Sequence, residues 1–364
     1  MTRKERVLKF LVFILCVWCI VFSLVFPKIA SEATFKALNL CARRIVPSLF
    51  LFILSSKIFL CLGGERVFAF LFGTFCEKVL HISKNACAGL FFGLLCGYPT
   101  GAVFISDALA RGTIGKKEAQ SILPFLTAAS PAFLIGTVGS SLFGSASYGI
   151  ILFASQSISS VIMLLITRKN RLGSEFLPSR CEKKENIFAC LARQIQNGGI
   201  TVISICSFVT FFYVFSETVL CLWPCPDEIK VIVSGFFEIS CGFSSLAGNN
   251  ASVFFRYFVG GAMLGFSGVS VLMQSGNLVC EYGVSMGAYA VGKAKQALLC
   301  AAISFVMGAF YEKGACDIAF SVLGCDAPKS LAIWEFALVS VLILAVVGAF
   351  CATFIKILRF FSKK

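Results

Sequence analysis

A chain of 364 residues that is 58% hydrophobic and only 14% charged carries more apolar surface than a water-soluble core can take in, since soluble domains run at roughly 25% charged residues. Its 40 Phe, single His and mean hydropathy of +0.90 exclude an ordinary soluble fold and point to lipid as the solvent. The net charge of +14 suggests an anionic partner, but its placement excludes nucleic acid as the natural one. Many basic residues sit in three short places: the N-terminus (Arg3, Lys4, Arg6, Lys9), a central loop (Arg168, Lys169, Arg171, Arg180, Lys183, Lys184, Arg193) and the C-terminal tail (Lys356, Arg359, Lys363, Lys364). Short loops rich in Lys and Arg stay in the cytoplasm, so both termini are expected inside, with membrane lipids meeting the basic faces.

In chain order, residues 8–26 form an apolar run as long as a full span, with no small-residue cleavage site after it; a retained first helix is expected in domain 1–30. Residues 31–167 make up the first membrane repeat. It opens with an amphipathic interfacial helix over 31–46, ending in CARRIV, and Pro47 then marks the entry to a span over 49–62. A shorter piece, 67–80, carries Glu77 and Lys78. The stretch 86–109 contains CGYPTGA, 121–139 contains TAASPAFL, and 148–167 reads as a clean span. A basic cytoplasmic loop covers 168–195.

The second repeat, 196–311, echoes the first: LARQI (191–195) resembles CARRI (41–45), and Glu238 in FFEISCG stands where Glu77 stands in TFCEKV. LGFSGVS takes the place of CGYPTGA, and 285–310 forms a span with Lys293 and Lys295, read as snorkelling end-of-span lysines. An outer loop with Cys316 and Cys325, which could pair, leads to a final helix over 331–354 and the basic tail, domain 312–364. The expectation is an all-α polytopic membrane protein of two inverted repeats, with 8–10 membrane segments. An odd number of crossings per repeat, plus one helix at each end, places the termini and the central loop on one side.

Broken helices carry the chemistry. Gly89, Gly93, Gly97 and Gly101 recur every four residues, as in a close-packing stripe, but Tyr98-Pro99 lies between the last two. Proline removes a backbone donor and glycine loosens the torsions, so the helix opens there. Gly265, Ser267 and Gly268 mark a matching break. Paired interruptions are the best pointer from sequence to a transporter's site, and freed amides at a half-helix N-terminus attract an anion. Ser130-Pro131, in TAASPAFL, reads as the turn of a re-entrant hairpin, with a proline-kinked full span as the alternative, and 242–250 offers another such turn. Glu238, in an apolar stretch without a nearby base, carries a proton or cation, hydrogen-bonds opened backbone, or simply sits at the surface. Gln274 is a plausible polar contact. No CxxC pair or Cys/His cluster suggests a metal, no Walker motif suggests nucleotide hydrolysis, and no hydrolase pattern appears; neither a cofactor nor an enzyme activity is expected.

Taken together, CGYPTGA, TAASPAFLIG, FFEISCG and GFSGVSVLMQ resemble the sporulation integral membrane protein YlbJ family, over nearly the whole chain after the first helix. The resemblance implies nucleoside-recognition or gate-type repeats and a transporter of the outer forespore membrane that moves dipicolinic acid. It also implies substrate-binding positions at Gly97, Tyr98, Pro99, Gly101, Ser130, Pro131, Glu238, Gly242, Gly265, Gly268 and Gln274, to which the break itself adds Ser267. Ala128-Ala129 stands where the pattern expects Asn, and Met273 where it often has His. The reading is therefore a transporter of a small organic anion acting in sporulation, with homo-oligomerisation left open. The alternative is a non-transporting membrane scaffold for spore morphogenesis.

Overall fold

The computed structural model describes residues 3–171 and 187–312. The Cys316–Cys325 pair, the final helix, the basic tail and most of the central loop lie outside the described residues. The protein is nearly all helical, and no strand occurs among the described residues. Helices Ala146–Ile166, Ile187–Leu222, Val253–Tyr282 and Met286–Glu312 are each long and apolar enough to cross a membrane. Two bent pairs meet the same standard together: Val12–Val25 with Pro27–Arg43, at 108°, and Arg66–Leu80 with Lys84–Cys96, at 117°. Large apolar side chains such as Phe13, Leu24, Phe70, Ile203 and Leu298 are exposed, as lipid-facing residues are.

α1 (Arg3–Val25) ends at Phe26, and Pro27 starts α2 (Pro27–Leu40) at a position where its missing N–H costs nothing. The sharp bend supports the expectation of a helix that leaves the direction of the first span. Pro47, read as the entry to a span, is the second residue of a helix over Val46–Cys61. A π-turn at Cys41–Ile45 joins α2 to α3 (Val46–Cys61), so the chain stays helical through the proline. α3 lies along α9 (Ile187–Leu222), and α2 packs there as well. Cys41, Ile45, Ile53, Val202, Ile205 and Val209 form the core of this frame. Cys61, at the end of α3, lies beside Cys190 near the start of α9, with their Cα atoms 7.1 Å apart.

After α4 (Glu65–Phe75), the chain makes α5 (Cys87–Cys96) and α6 (Thr100–Ala110), which fold back on each other. A Cβ on Gly101 would lie 3.1 Å from Gly93 Cα, and one on Gly89 would meet the Phe104 ring. Both pairs are centred near residue 97, which makes an antiparallel hairpin. α10 (Asp227–Phe237) and α11 (Ile239–Ala247) repeat this shape: a Cβ on Gly242 would lie 2.4 Å from Gly235 Cα, so the tip is Glu238.

Each hairpin is followed by an interrupted span. α7 (Lys116–Leu126) breaks at 127–131 and continues as a π-helix, Ala132–Leu142; α12 (Val253–Phe266) breaks at Ser267 and continues as α13 (Gly268–Val279). A full span closes each half, α8 (Ala146–Ile166) and α14 (Met286–Glu312).

The hydrogen bonds at the two ends of the molecule give these halves opposite directions. At one end the Gln120 side-chain amide pairs with the Ser285 backbone, Ser83 N donates to Glu118 Oε1 at 2.6 Å, and Arg171 donates to Thr167 Oγ1 at 2.8 Å. At the other end Tyr148 OH donates to Arg256 O at 2.9 Å, and Ser304 Oγ to Tyr257 O at 2.8 Å. α7 and α14 thus start where α8 and α13 finish, which gives the inverted repeat expected from the charges.

Two expectations need correction. The stretch 127–131 is the break of a span and not a hairpin turn, because its two arms run along opposite ends of α8: Ser121 Oγ donates to Thr167 O at its finish, and Leu134 O lies against Gly149 near its start. In the second half the hairpin turns at Glu238, while 248–252 connects α11 to α12. The tip at Gly97–Pro99 therefore matches Glu238, and TAASP matches GFSG, not the pairing the glycine pattern suggested. Glu77 has no part in this symmetry: it pairs with Lys84 at 3.5 Å on the surface.

Candidate functional site

Four interrupted segments converge on one point. At the first tip Gly97 adopts φ +80°, where an L side chain is strained, and the Tyr98–Pro99 peptide is cis. A Cβ on Gly97 would lie 2.9 Å from Ser130 N, so the tip rests directly on the break of the α7 span. The second half repeats the arrangement. Ser267 and Gly268 both have positive φ (71° and 78°), and a Cβ on Gly268 would sit 3.3–3.4 Å from Phe237 O, Gly235 O and Ile239 N. Each hairpin tip thus seats on the broken span that follows it.

Between the tips lies a cavity of about 40 Å³, lined on its polar side by Gly97, Tyr98, Ser130, Glu238, Ser240 and Gln274. Ile45 of the π-turn and Leu49 of α3, with Ile205 and Val209 of α9, wall its apolar side. That volume holds a water or two, against the roughly 300–1,000 Å³ of a typical ligand pocket. This conformation is closed around the site.

Glu238 is 1% exposed and is the one charged residue among those lining the cavity. Its Oε2 accepts from Cys241 N at 2.7 Å, so the carboxylate caps the N-terminus of α11. Ser130 does the same for the half-helix after it, its Oγ accepting from Phe133 N at 3.2 Å. Among the residues lining the cavity, two buried polar atoms have no partner in the described structure: Tyr98 OH and Gln274 Oε1, the second on a side chain that donates to Ser270 Oγ at 3.0 Å. Unpaired buried groups are costly, and these two belong to residues lining one cavity beside one carboxyl group.

Of the positions expected from sequence, Gly97, Tyr98, Ser130, Glu238 and Gln274 line the cavity. The others shape it from outside. Pro99 completes the cis turn, and Gly101 lets α6 approach Leu126 O, which a Cβ would meet at 2.1 Å. Pro131 starts the second half-helix, Gly242 holds the second hairpin closed, and Gly265 packs against Ala297 of α14. Ser267 and Gly268 form the second break itself.

The sequence reading missed what supports the first break from behind. The span 148–167, read as clean, carries Ser155, Gln156, Ser157, Ser159 and Ser160, all fully buried. Gln156 brackets Ala129: its Oε1 accepts from Ala129 N and its Nε2 donates to Ala129 O, both at 3.0 Å. Lys293 does not snorkel. It is fully buried, and its Nζ donates to Thr127 O and to Gln296 Oε1, because the α14 face it stands on packs against α7 instead of facing lipid. Thr127 Oγ1 meets Tyr289 OH at 3.0 Å. The polar run ASQSISS in an otherwise apolar helix was the available signal.

Two antiparallel hairpins and two broken spans around one cavity define the class of fold, a helical membrane protein with interrupted spans. Solved structures share the fold. Two variants of CNTnw in outward-facing states match with TM-scores of 0.51 at 14% and 15% identity, covering 83% of this chain and 86% and 85% of theirs. A third, in its intermediate 3 state, matches with a TM-score of 0.51 over 84% of this chain and 86% of its own. By sequence the chain is 23% identical over 318 residues to the sporulation integral membrane protein YlbJ of Bacillus subtilis (strain 168), over 77% of this chain and 78% of that protein. The match supports assignment to the YlbJ family, as the motifs indicated. No family model matches the chain.

Proposed function

We propose that this chain is a secondary transporter that carries a small organic acid across the membrane of a sporulating cell, with dipicolinate as the first candidate. The observation that carries the reading is the meeting of four interrupted helices at a closed cavity around one buried carboxyl, Glu238. No Lys or Arg lines that cavity, so a dianion needs its charge met in other ways. The half-helix N-termini at Thr100, Ala132 and Gly268 offer amides. A proton on Glu238 removes the opposing charge and supplies a donor. Tyr98, Tyr213, Cys41 and Cys241 are the titratable neighbours within electrostatic reach of that carboxyl.

In this reading the solute moves with a proton. The frame of α2, α3 and α9 stays fixed in the membrane while the hairpins and broken spans shift against Ile45, Leu49, Ile205 and Val209 to open the cavity. The end bearing Lys84, Arg111, Lys116, Lys117 and Arg168 is the cytoplasmic one, by its positive charge. The forespore membrane is the setting that the similarity to a sporulation protein suggests.

A second reading rests on the same lining. One carboxylate and no base suit a neutral solute rich in hydroxyl and N–H donors, and the structural neighbour is a nucleoside transporter. Uptake of radiolabelled dipicolinate and of uridine into proteoliposomes separates the two. Dipicolinate uptake that rises as the outer pH is lowered supports the first, since proton binding at Glu238 then becomes more frequent. Uridine uptake alone transfers the site to the second, and uptake of neither removes both.

A further inference from the structure

Thr127 ends α7 with extended torsions (φ −94°, ψ 93°), so the last carbonyls of that half-helix lack backbone partners; the Thr127 hydroxyl donates to Leu123 O at 3.1 Å and Pro124 O at 3.3 Å, which leaves Thr127 O itself for another donor. Such an end carries partial negative charge, and in transporters with discontinuous helices unwound carbonyls and half-helix C-termini are where coupling cations bind. Here the position is already filled by the Lys293 ammonium, on Thr127 O and Gln296 Oε1. Gln296 is oriented in turn by Ser160 Oγ, which accepts from its Nε2 at 2.8 Å. No carboxylate pairs with Lys293 among the described residues. Its charge is met by neutral oxygens, the same hard, uncharged ligands that an alkali cation takes. Gly292, one residue earlier, lets α14 come close enough, since a Cβ there would lie 2.6 Å from Pro124 Cγ.

The second break shares the hydroxyl cap, Thr127 at the first and Ser267 at the second, and among the described residues it has no ammonium. The carbonyls ending α12 receive Ser267 N, at 2.7 Å to Met263 O, and Ser267 Oγ, at 3.1 Å to Leu264 O. A hydroxyl thus caps the carbonyls at both breaks, and the first has a tethered cation in addition.

We propose that Lys293 is a built-in cation site: its ammonium occupies the place at the first break where a metal cation would otherwise bind, so the fold of the site needs no sodium. The inference goes beyond the transport reading and is tested without any transported solute, so failure of transport does not decide it. The purified full chain is melted in detergent in sodium chloride and in choline chloride at equal ionic strength, alone and as Lys293→Ala. Wild-type melting that is the same in both salts, with Lys293→Ala melting several degrees lower in choline and recovering part of the loss in sodium or ethylammonium chloride, is the expected result. Wild-type protein stabilised by sodium by several degrees overturns the proposal, as does a Lys293→Ala chain that melts like wild type. If that variant does not fold, Lys293→Gln takes its place with the same two outcomes; it keeps a donor toward Thr127 O but no charge.

Discussion

Gln156 and Glu238 do similar work from opposite sides of the site, each giving polar partners to backbone that a broken helix has left open. Inside a bilayer that backbone has no water to turn to, and a break survives only where protein satisfies it. Replacing Gln156 with Leu orphans both the N–H and the C=O of Ala129, at roughly 1–3 kcal/mol for each group. The expected outcome is a clearly lowered melting temperature in detergent with unchanged helical content by circular dichroism at low temperature. Wild-type melting would mean the bracket is not needed. Glu238 was legible in the sequence because an acid in an apolar stretch is conspicuous. Gln156 and Lys293 were not, because an amide among serines and a lysine four residues from a tyrosine look the same facing lipid headgroups or facing a break. Which face they occupy depends on α8, α14 and α7 packing together, a tertiary fact absent from local spacing.

At the scale of elements, the glycines separate into two kinds. Gly97 and Gly268 are needed for their positive φ, whereas Gly93 and Gly101 are needed for closeness to Leu126 O. A Cβ at Gly101 has a backbone carbonyl at 2.1 Å, which cannot swing aside; a Cβ at Gly136 meets nothing within 4 Å. Gly101→Ala should therefore cost about 1–3 kcal/mol through overpacking, while Gly136→Ala should be neutral or slightly stabilising. Thermal melts of the two variants side by side test this, and equal losses would count against the hairpin geometry. That the helix opens at Tyr98-Pro99 was readable from proline and glycine chemistry. That the chain reverses there, and runs on at 127–131, was not, since both kinds of interruption use the same small residues. The direction after a break is set by what the next arm packs on.

Over the whole molecule, the halves are related by order and by direction, and the positive charge collects at one end. Charge placement and crossing arithmetic were enough to foresee the inversion, because they depend on composition and not on contacts. The detailed correspondence between halves was misjudged, because glycine-rich segments match one another by composition whether they are tips or breaks. What the assembled fold adds is a frame, α2, α3 and α9, against which a body of hairpins and broken spans closes a cavity too small for an organic solute. Transport in this account is the opening of that cavity to each side in turn, with Glu238 at its centre. The direct test is uptake of dipicolinate driven by an inward proton gradient, comparing wild type with Glu238→Gln reconstituted at equal density. Gln keeps an oxygen to cap α11 but cannot exchange a proton. The account predicts a folded variant whose gradient-driven uptake falls to the level of protein-free liposomes. A variant that takes up the solute at the wild-type rate, with the wild-type response to pH, would contradict it.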